Sequence, residues 1–224
     1  MDKLISYLQT IDTPTLSNAI ELLDVRPRSE NFAPYSLRCL YPELGSMVGY
    51  AVTVQMESMT RMEPRDERQT IAFYEAIDAS PKPAVVVMQE IGSRPEFASH
   101  SGEVMTTLMK NFGAIGLVTD GSVRDFNEVR QLGFHNFARG TVTSHAYCRI
   151  VRVGCPLQIY GMTVRPGDLL HGDINGLIEI PAERREELPE MIARVRKEEG
   201  DLMGQVRAGG FTIESLRRTV TGYR

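Results

Sequence analysis

Two short, continuous apolar runs constrain the fold of this chain more than any other feature of its sequence. They lie at 84–88 and 114–120, and each follows a segment with apolar residues at helical spacing. Runs of this length are typical of strands covered on both faces, as in a sheet flanked by helices. The pattern therefore predicts a layered α/β fold.

The rest of the chain supplies further helices and several short strands. Helical spacing predicts helices at 2–24, 64–79, 102–112, 123–132 and 182–207, the last broken at Gly200. Within the first of them, Thr13 before Pro14 has the pattern of an N-cap followed by the first helical residue. Strands are predicted at 47–56, 137–143, 148–153, 157–160, 168–173 and 176–180. The glycines and prolines between the later strands indicate a compact β-rich layer.

Composition sets limits on the class of protein. With 42% apolar and 24% charged residues, the 224-residue chain has the balance of a folded domain. We expect one domain over 1–224, with a C-terminal helical extension at about 182–224. The net charge of −4 is spread along the sequence, which argues against nucleic acid as a partner. No apolar run is long enough to span a membrane and the first residues lack a signal-peptide pattern, so a cytoplasmic protein is expected.

Cysteine and histidine patterns favour no metal or thiol chemistry. The three cysteines contain no C-x-x-C pair, and we expect reduced thiols at Cys39, Cys148 and Cys155. The four histidines lack the spacing of a metal motif, although His100 adjoins the segment discussed next. Ser144 beside His145 has no nucleophile elbow around it and is interpreted as strand surface. Asp168 and Asp173 lie in sequences typical of turns, so we interpret them as structural residues and not as ligands.

The segment from Gly102 to Glu128 carries the most chemical information. A helix that begins at Gly102 leaves the backbone N–H groups of residues 103–105 free at its positive end, where they suit a carboxylate. Arg124 can bind the same anion with two parallel contacts, and Asp125 offers a hard oxygen for Mg²⁺ or Mn²⁺. Both follow a predicted buried strand, at the end of a sheet where α/β folds often bind ligands.

Two glutamates extend this hypothesis. Glu103 could orient a metal-bound water, and Glu128 lies about one helical turn beyond Asp125, where it could support the site. The same residues also have a purely structural interpretation, without a metal. Asp-Gly is a common turn, and an Arg-Asp pair at a helix start often only complements the helix dipole.

A family resemblance bears on this choice. The pattern Glu103-x20-Arg124-Asp125-x2-Glu128, preceded by Gly102, resembles the signature of the RraA-like family, which includes the class II 4-hydroxy-4-methyl-2-oxoglutarate aldolases. The run at 164–181, VRPGDLLHGDINGLIEIP, is similar to another stretch of that family. With TLSNAI at 15–20, the similarity extends over most of the chain.

The resemblance implies a fold and a set of roles. The fold would be the compact α/β/β/α layering of the swivelling-domain type, assembled as a homotrimer or a homohexamer. Backbone amides of Gly102, Glu103, Val104 and Met105 would hold the carboxylate of a small 2-oxo acid, Arg124 would contact its oxygens, and the next residue, Asp125, would bind Mg²⁺ or Mn²⁺ directly.

The resemblance also implies ligands that act through water. Glu103 would reach the metal in this way, as would a glutamate from the C-terminal helix of a neighbouring subunit; Glu199 matches that position best, with Glu198 next to it. Two positions depart from the family pattern. Glu103 stands where the aldolases carry Asp, and Asn18 stands where the family often has Asp.

The function implied is that of a metal-dependent carbon–carbon lyase. It would release pyruvate from a hydroxy-oxo acid or an oxo diacid by retro-aldol cleavage or by decarboxylation, with Arg124 and the metal stabilising the enolate. A water aided by Glu103 would take the hydroxyl proton. The alternatives are a non-catalytic regulator that binds a ribonuclease or another protein, as some members of the family do, and a hydratase or isomerase with the same enolate chemistry.

Overall fold

A mixed eight-stranded sheet forms the centre of the protein in the computed structural model, which describes residues 3–61 and 67–222. The described strands are β1 (Arg38–Cys39), β2 (Met47–Glu57), β3 (Ala84–Glu90), β4 (Ser99–Ser101), β5 (Ala114–Thr119), β6 (Ser122–Val123), β7 (His135–Ala138), β8 (Arg149–Val153), β9 (Leu157–Ile159), β10 (Met162–Val164), β11 (Leu169–Asp173) and β12 (Gly176–Ile180). The described α-helices are α1 (Lys3–Leu8), α2 (Thr13–Leu23), α3 (Glu67–Ala79), α4 (Glu103–Asn111), α5 (Phe126–Gln131), α6 (Leu188–Arg207) and α7 (Ile213–Gly222).

The centre of the sheet is parallel and its edges are antiparallel. The strand order is β1-β7-β5-β3-β2-β11-β12, and β8 pairs with the second half of β2. Strands β2, β3, β5 and β7 run parallel, with α3, α4 and α5 between them in the chain. Strands β3 and β5 are buried along almost their whole length, which confirms the prediction made from the two apolar runs.

Three apolar clusters hold the layers together. Helices α3 and α4 place Phe73 and Met109 against the central strands. Helices α2 and α6 bring Leu16 and Ile192 together with the β11–β12 end of the sheet. The small β9–β10 hairpin covers a third group of apolar residues that includes Met162. The described helices thus pack on one face of the sheet and the β9–β10 hairpin packs on the other, which gives the mixed α/β single domain predicted from the sequence.

The first predicted helix is two helices with a different cap. A turn at 9–12 separates α1 from α2, and Asp12, not Thr13, is the N-cap of α2. The Asp12 carboxylate accepts a hydrogen bond of 2.9 Å from the backbone N–H of Thr15, so the prediction of Thr13 as the cap was wrong by one residue. A carboxylate at this position also complements the helix dipole. In the next predicted helix, residues 64–66 lie outside the described residues.

Helix α6 is continuous through Gly200, contrary to the predicted break. Gly200 is exposed, and two ion pairs lie near it, each between residues one helical turn apart. Arg194 pairs with Glu198 at 2.8 Å before the glycine, and Lys197 pairs with Asp201 at 3.1 Å across it. A single exposed glycine costs a helix about 1 kcal/mol, which such a long amphipathic helix tolerates. None of the helices in the described part of the chain is both long and apolar enough to cross a membrane.

Two predicted boundaries near the candidate site also shift. The helix predicted at 123–132 begins only at Phe126, because Ser122 and Val123 form β6 and pair with β4. The strand predicted at 137–143 is β7 at 135–138, and its pairing with β1 extends no further than Ala138. Residues 139–148 are a loop that leaves the sheet.

Candidate functional site

A pair of very short parallel strands brings the two halves of the predicted site together. Strand β4 precedes α4, β6 precedes α5, and Ser101 pairs with Val123. The backbone N–H of Arg124 donates to the carbonyl of Ser101 at 3.0 Å. Gly102 therefore lies next to the Arg124–Asp125 pair, although about twenty residues separate them in the sequence.

The N-terminus of α4 is capped by a side chain from across the site. Gly102 is the N-cap residue, and the N–H of Glu103 donates to Oδ2 of Asp125 at 2.9 Å. Neither Ser99 nor Ser101 caps the helix; the Ser101 hydroxyl contacts that of Thr106 at 2.9 Å. A Cβ atom at position 102 would lie 2.3 Å from Oδ2 of Asp125, so only glycine permits this approach.

The backbone of Asp125 explains how two adjacent side chains reach the same site. Asp125 has φ +54° and ψ +49°, the left-handed conformation, which aspartate adopts more readily than most residues. Its carboxylate is thereby turned towards α4, and Nε of Arg124 lies 3.7 Å from Oδ2. Both side chains are a little over a third exposed, so a ligand can reach them.

A cavity of about 300 Å³ lies beside this pair. Gly102, Val104 and Met105 of the α4 N-terminus line it together with Arg124, and so does His145 from the loop after β7. Among the described residues that line the cavity, Arg124 is the one with a permanent charge, and no carboxylate is among them. The arrangement fits a small anion that also carries an apolar part.

The carboxylate of Asp125 suits a hard cation, but a single chain supplies few further ligands. Oδ1 of Asp125 makes no hydrogen bond within the described residues, which leaves it available as a ligand. Over 3–61 and 67–222, no group of three or more His, Cys, Asp or Glu side chains is arranged to hold a metal. Mg²⁺ commonly binds to one or two carboxylates and keeps several waters. Asp125 fits such a site if the remaining ligands are water or come from another subunit.

The other predicted acidic residues lie elsewhere. Glu128 is exposed on α5, and its side chain has no hydrogen bond or ion pair to Asp125 within the described residues. Glu199 accepts a hydrogen bond of 3.1 Å from Asn18 and lines a separate cleft of about 470 Å³ between α2 and α6, with Glu198 beside it. A contact of Glu199 with the site of a neighbouring subunit stays a prediction.

A buried polar network lies under the cavity. Nε2 of His100 contacts Oε2 of Glu90 at 2.7 Å, and Nδ1 contacts Oγ1 of Thr119 at 2.6 Å. The side chains of His100 and Glu90 are both fully buried, and Ser58 donates to Glu90 as well. Burial opposes the ionisation of Glu90, but the hydrogen bonds from His100 and Ser58 hold the pKa of its carboxyl below the usual value. Although His100 adjoins the cavity, both of its ring nitrogens are occupied.

Some residues were misjudged or missed from the sequence. Ser144 and His145 were interpreted as strand surface, but they lie in a loop, and His145 lines the cavity. An irregular loop has no period, so only the spatial position of His145 reveals it. Asp168 and Asp173 accept backbone hydrogen bonds within their turns, from Arg165 and from residue 175, which confirms their structural interpretation.

The sequence and the fold both place the chain in one class of α/β proteins. The sequence profile of the RraA-like family, described as Aldolase/RraA, matches residues 13–178. The chain belongs to the RraA-like family.

Relatives carry different names. The chain is 27% identical to a putative 4-hydroxy-4-methyl-2-oxoglutarate aldolase of Halalkalibacterium halodurans, covering 95% of this chain and 91% of that protein. It is also 27% identical to protein DlpA of Legionella pneumophila, covering 97% of this chain but only 34% of DlpA. The chain thus spans about a third of the length of that larger relative.

Solved structures share the fold. An uncharacterised protein from Pseudomonas syringae pv. tomato superimposes with a TM-score of 0.71 at 24% identity, covering 96% of both chains. RraAS2 of Streptomyces coelicolor, described as an unusual member of the RNase ES inhibitor RraA protein family, has a TM-score of 0.67 at 21% identity, covering 92% of this chain and 96% of that one. At these identities the likeness concerns the fold alone.

Replacing Gly102 by Ala is expected to displace the Asp125 carboxylate. The added Cβ would overlap Oδ2, so we expect the free energy of unfolding to fall by about 2 kcal/mol, as for other overpacked sites. Urea denaturation measures the change. Gly140→Ala is the control, since a Cβ there meets nothing within 4 Å. Equal stability of the two variants would contradict the close approach.

The low pKa of Glu90 predicts a pH-dependent contribution to stability. Because folding lowers this pKa, the contribution is present above the unfolded value of about 4.3 and is lost as the pH falls through the folded value. Glu90→Gln should cost about 2 kcal/mol at pH 7, because it replaces a buried carboxylate that accepts hydrogen bonds from His100 and Ser58. It should also weaken the pH dependence of unfolding below about pH 4. The exposed Glu96→Gln serves as control in urea titrations at several pH values; an unchanged pH profile in Glu90→Gln would refute the assignment.

Proposed function

We propose that this protein is a Mg²⁺- or Mn²⁺-dependent carbon–carbon lyase that releases pyruvate from a hydroxy-oxo acid or an oxo diacid. One observation carries the proposal. The Asp125 carboxylate, the Arg124 guanidinium and the N-terminus of α4 meet beside a cavity of small-molecule size. The chain's relation to a putative aldolase supports the same reaction class.

The N-terminus of α4 would bind the substrate carboxylate. The first hydrogen bond of the helix runs from the N–H of Thr106 to the carbonyl of Gly102 at 3.0 Å, and the N–H of Glu103 is taken by Asp125. The amides of Val104 and Met105 therefore have no partner within the helix. Two such donors at the positive end of a helix dipole form a suitable carboxylate site.

Arg124 would stabilise the developing negative charge, and Asp125 would bind the metal. Arg124 can bind the 2-oxo oxygen and stabilise the negative charge that develops there when the carbon–carbon bond breaks. Asp125 would hold the metal directly, and Glu103 would reach it through water, as would Glu199 of a neighbouring subunit. A bound Mg²⁺ or Mn²⁺ would supply Lewis acidity to the carboxylate and 2-oxo oxygens of the substrate.

The cavity wall bears on the rest of the substrate. Tyr74, Met105 and Leu108 line it with apolar surface next to Arg124. The part of the substrate beyond the pyruvoyl group would lie against this wall. Metal-dependent pyruvate release from a panel of hydroxy-oxo acids would identify the preferred substrate.

Metal removal and two substitutions test the proposed reaction. EDTA should abolish pyruvate release from 4-hydroxy-4-methyl-2-oxoglutarate and from oxaloacetate, and Mg²⁺ or Mn²⁺ should restore it. Asp125→Ala and Arg124→Ala should each lower kcat/KM at least about 100-fold, because each removes a group that stabilises the enolate. Coupled lactate dehydrogenase assays measure the pyruvate.

Asp78→Ala is the matched control, because Asp78 is an exposed aspartate at the end of α3. It should retain wild-type turnover. Full turnover by Asp125→Ala would rule out its role as metal ligand, and turnover in excess EDTA would rule out the metal mechanism.

A site shared between subunits predicts complementation. We expect a homotrimer or homohexamer in which Glu199 of one chain serves the site of the next. Each complete site needs Asp125 from one chain and Glu199 from its neighbour. When Glu199→Ala and Asp125→Ala chains are coexpressed and mix at random, roughly a quarter of the sites contain both residues, so up to roughly a quarter of wild-type activity should return. Each variant alone should be less active than the mixture. No gain on mixing would show that Glu199 does not act across a subunit boundary.

The non-catalytic alternative has a distinct outcome. A regulator that binds a ribonuclease or another protein would release no pyruvate from any 2-oxo acid tested. It would also keep its partner when Arg124 and Asp125 are replaced. The meeting of Gly102, Arg124 and Asp125 beside one cavity favours the enzyme, since a protein-binding surface elsewhere has no need of them.

A further inference from the structure

The loop between β7 and β8 contributes a histidine to the candidate active site. His145 lines the cavity together with Arg124 and the α4 N-terminus. His145 is exposed to solvent. Neither Glu103 nor Asp125 is among the described residues that line the cavity. A group able to exchange protons is thus present where the substrate would lie.

The turn around His145 fixes the tautomer of its ring. Nδ1 lies 2.7 Å from the carbonyl oxygen of Ala146. A carbonyl oxygen can only accept, so Nδ1 carries the hydrogen and Nε2 of the neutral ring keeps its lone pair. Nε2 has no hydrogen bond within the described residues. The free nitrogen is therefore a base.

The same turn is held in a costly backbone conformation. Ala146 has φ +50°, and left-handed geometry costs a residue with a Cβ about 1 to 2 kcal/mol. Two contacts retain it: the N–H of Ala146 donates to the Ser144 hydroxyl at 3.0 Å, and the N–H of Tyr147 donates to the carbonyl of Ser58 at 2.9 Å. The ring is therefore attached to the end of β2 through an ordered turn.

The other charged or titratable nitrogens and the tyrosine among the described lining residues are less suited to accept a proton. His100 uses both ring nitrogens in the network with Glu90 and Thr119. Arg124 is a permanent cation, and burial raises the pKa of the Tyr74 hydroxyl. Within the described lining, His145 is the one residue that offers an unoccupied basic nitrogen.

We propose that His145 is a catalytic residue that accepts the hydroxyl proton of the substrate, an inference that rests on the proposed lyase function. Nε2 takes the proton from the hydroxyl group at C4, and the alkoxide oxygen forms a carbonyl. The C3–C4 bond breaks, and its electron pair passes into the pyruvate enolate. The imidazolium then returns the proton to C3, which gives the methyl group of pyruvate. No water aided by Glu103 is needed for this transfer.

Three reactions of the same holoenzyme test the assignment. Cleavage of 4-hydroxy-4-methyl-2-oxoglutarate requires the base, and so does exchange of the pyruvate methyl protons with D₂O. Decarboxylation of oxaloacetate breaks its bond by loss of CO₂ and has no hydroxyl proton to remove, and its enolate can take a proton from solvent. His145→Gln and His145→Asn should lower the first two rates about 100-fold and leave decarboxylation within about threefold.

The variants and controls separate chemistry from structure. The amide of His145→Asn can still donate to the Ala146 carbonyl, so the turn keeps its contact while the base is lost. Tyr147→Phe changes the same turn and should leave all three rates unchanged. Equal losses in the three reactions, or undiminished cleavage by both variants, would overturn the role of His145. A wild-type protein that releases no pyruvate at all would instead refute the lyase proposal itself.

Discussion

The candidate site depends on one hydrogen bond, from the backbone N–H of Glu103 to the carboxylate of Asp125. It joins the start of α4 to the turn before α5, and it exists because residue 102 has no side chain and Asp125 adopts a left-handed backbone. The bond satisfies one helix donor with a fixed anion and leaves the next two amides for a ligand. A carboxylate and a guanidinium are thus held in a cleft whose own backbone favours a second anion.

Much of this arrangement could be predicted from local sequence. The apolar runs that became β3 and β5 are buried on both faces, and their composition alone indicates this. The helix start at Gly102 and the strand end before Arg124 predicted that Gly102, Arg124 and Asp125 share one site, and the family motif supported this. The two-residue strands that bring them together, such as β6, have no detectable period. The cap of α2 could not be decided, because Asp12 and Thr13 are both good capping residues and only the geometry selects between them.

Longer-range features were beyond the sequence for similar reasons. The continuity of α6 through Gly200 reflects packing of its apolar face against α2, which outweighs a local weakness. The position of His145 depends on a loop anchored to β2 by backbone contacts that any sequence could make. Glu199 contacts Asn18 in its own chain, and its role at the site of a neighbouring subunit stays a prediction.

The close contact at Gly102 also limits how this sequence can evolve. A Cβ at position 102 would lie 2.3 Å from Oδ2 of Asp125 and 2.9 Å from Nε of Arg124, so a small neutral residue at 125 removes only the tighter of the two contacts. The two positions are therefore energetically coupled, and their substitutions cannot be additive. A side chain fits at position 102 without overlap only when both Arg124 and Asp125 have changed or moved. The residue at position 102 thus indicates whether the Arg124–Asp125 pair keeps its close packing against α4.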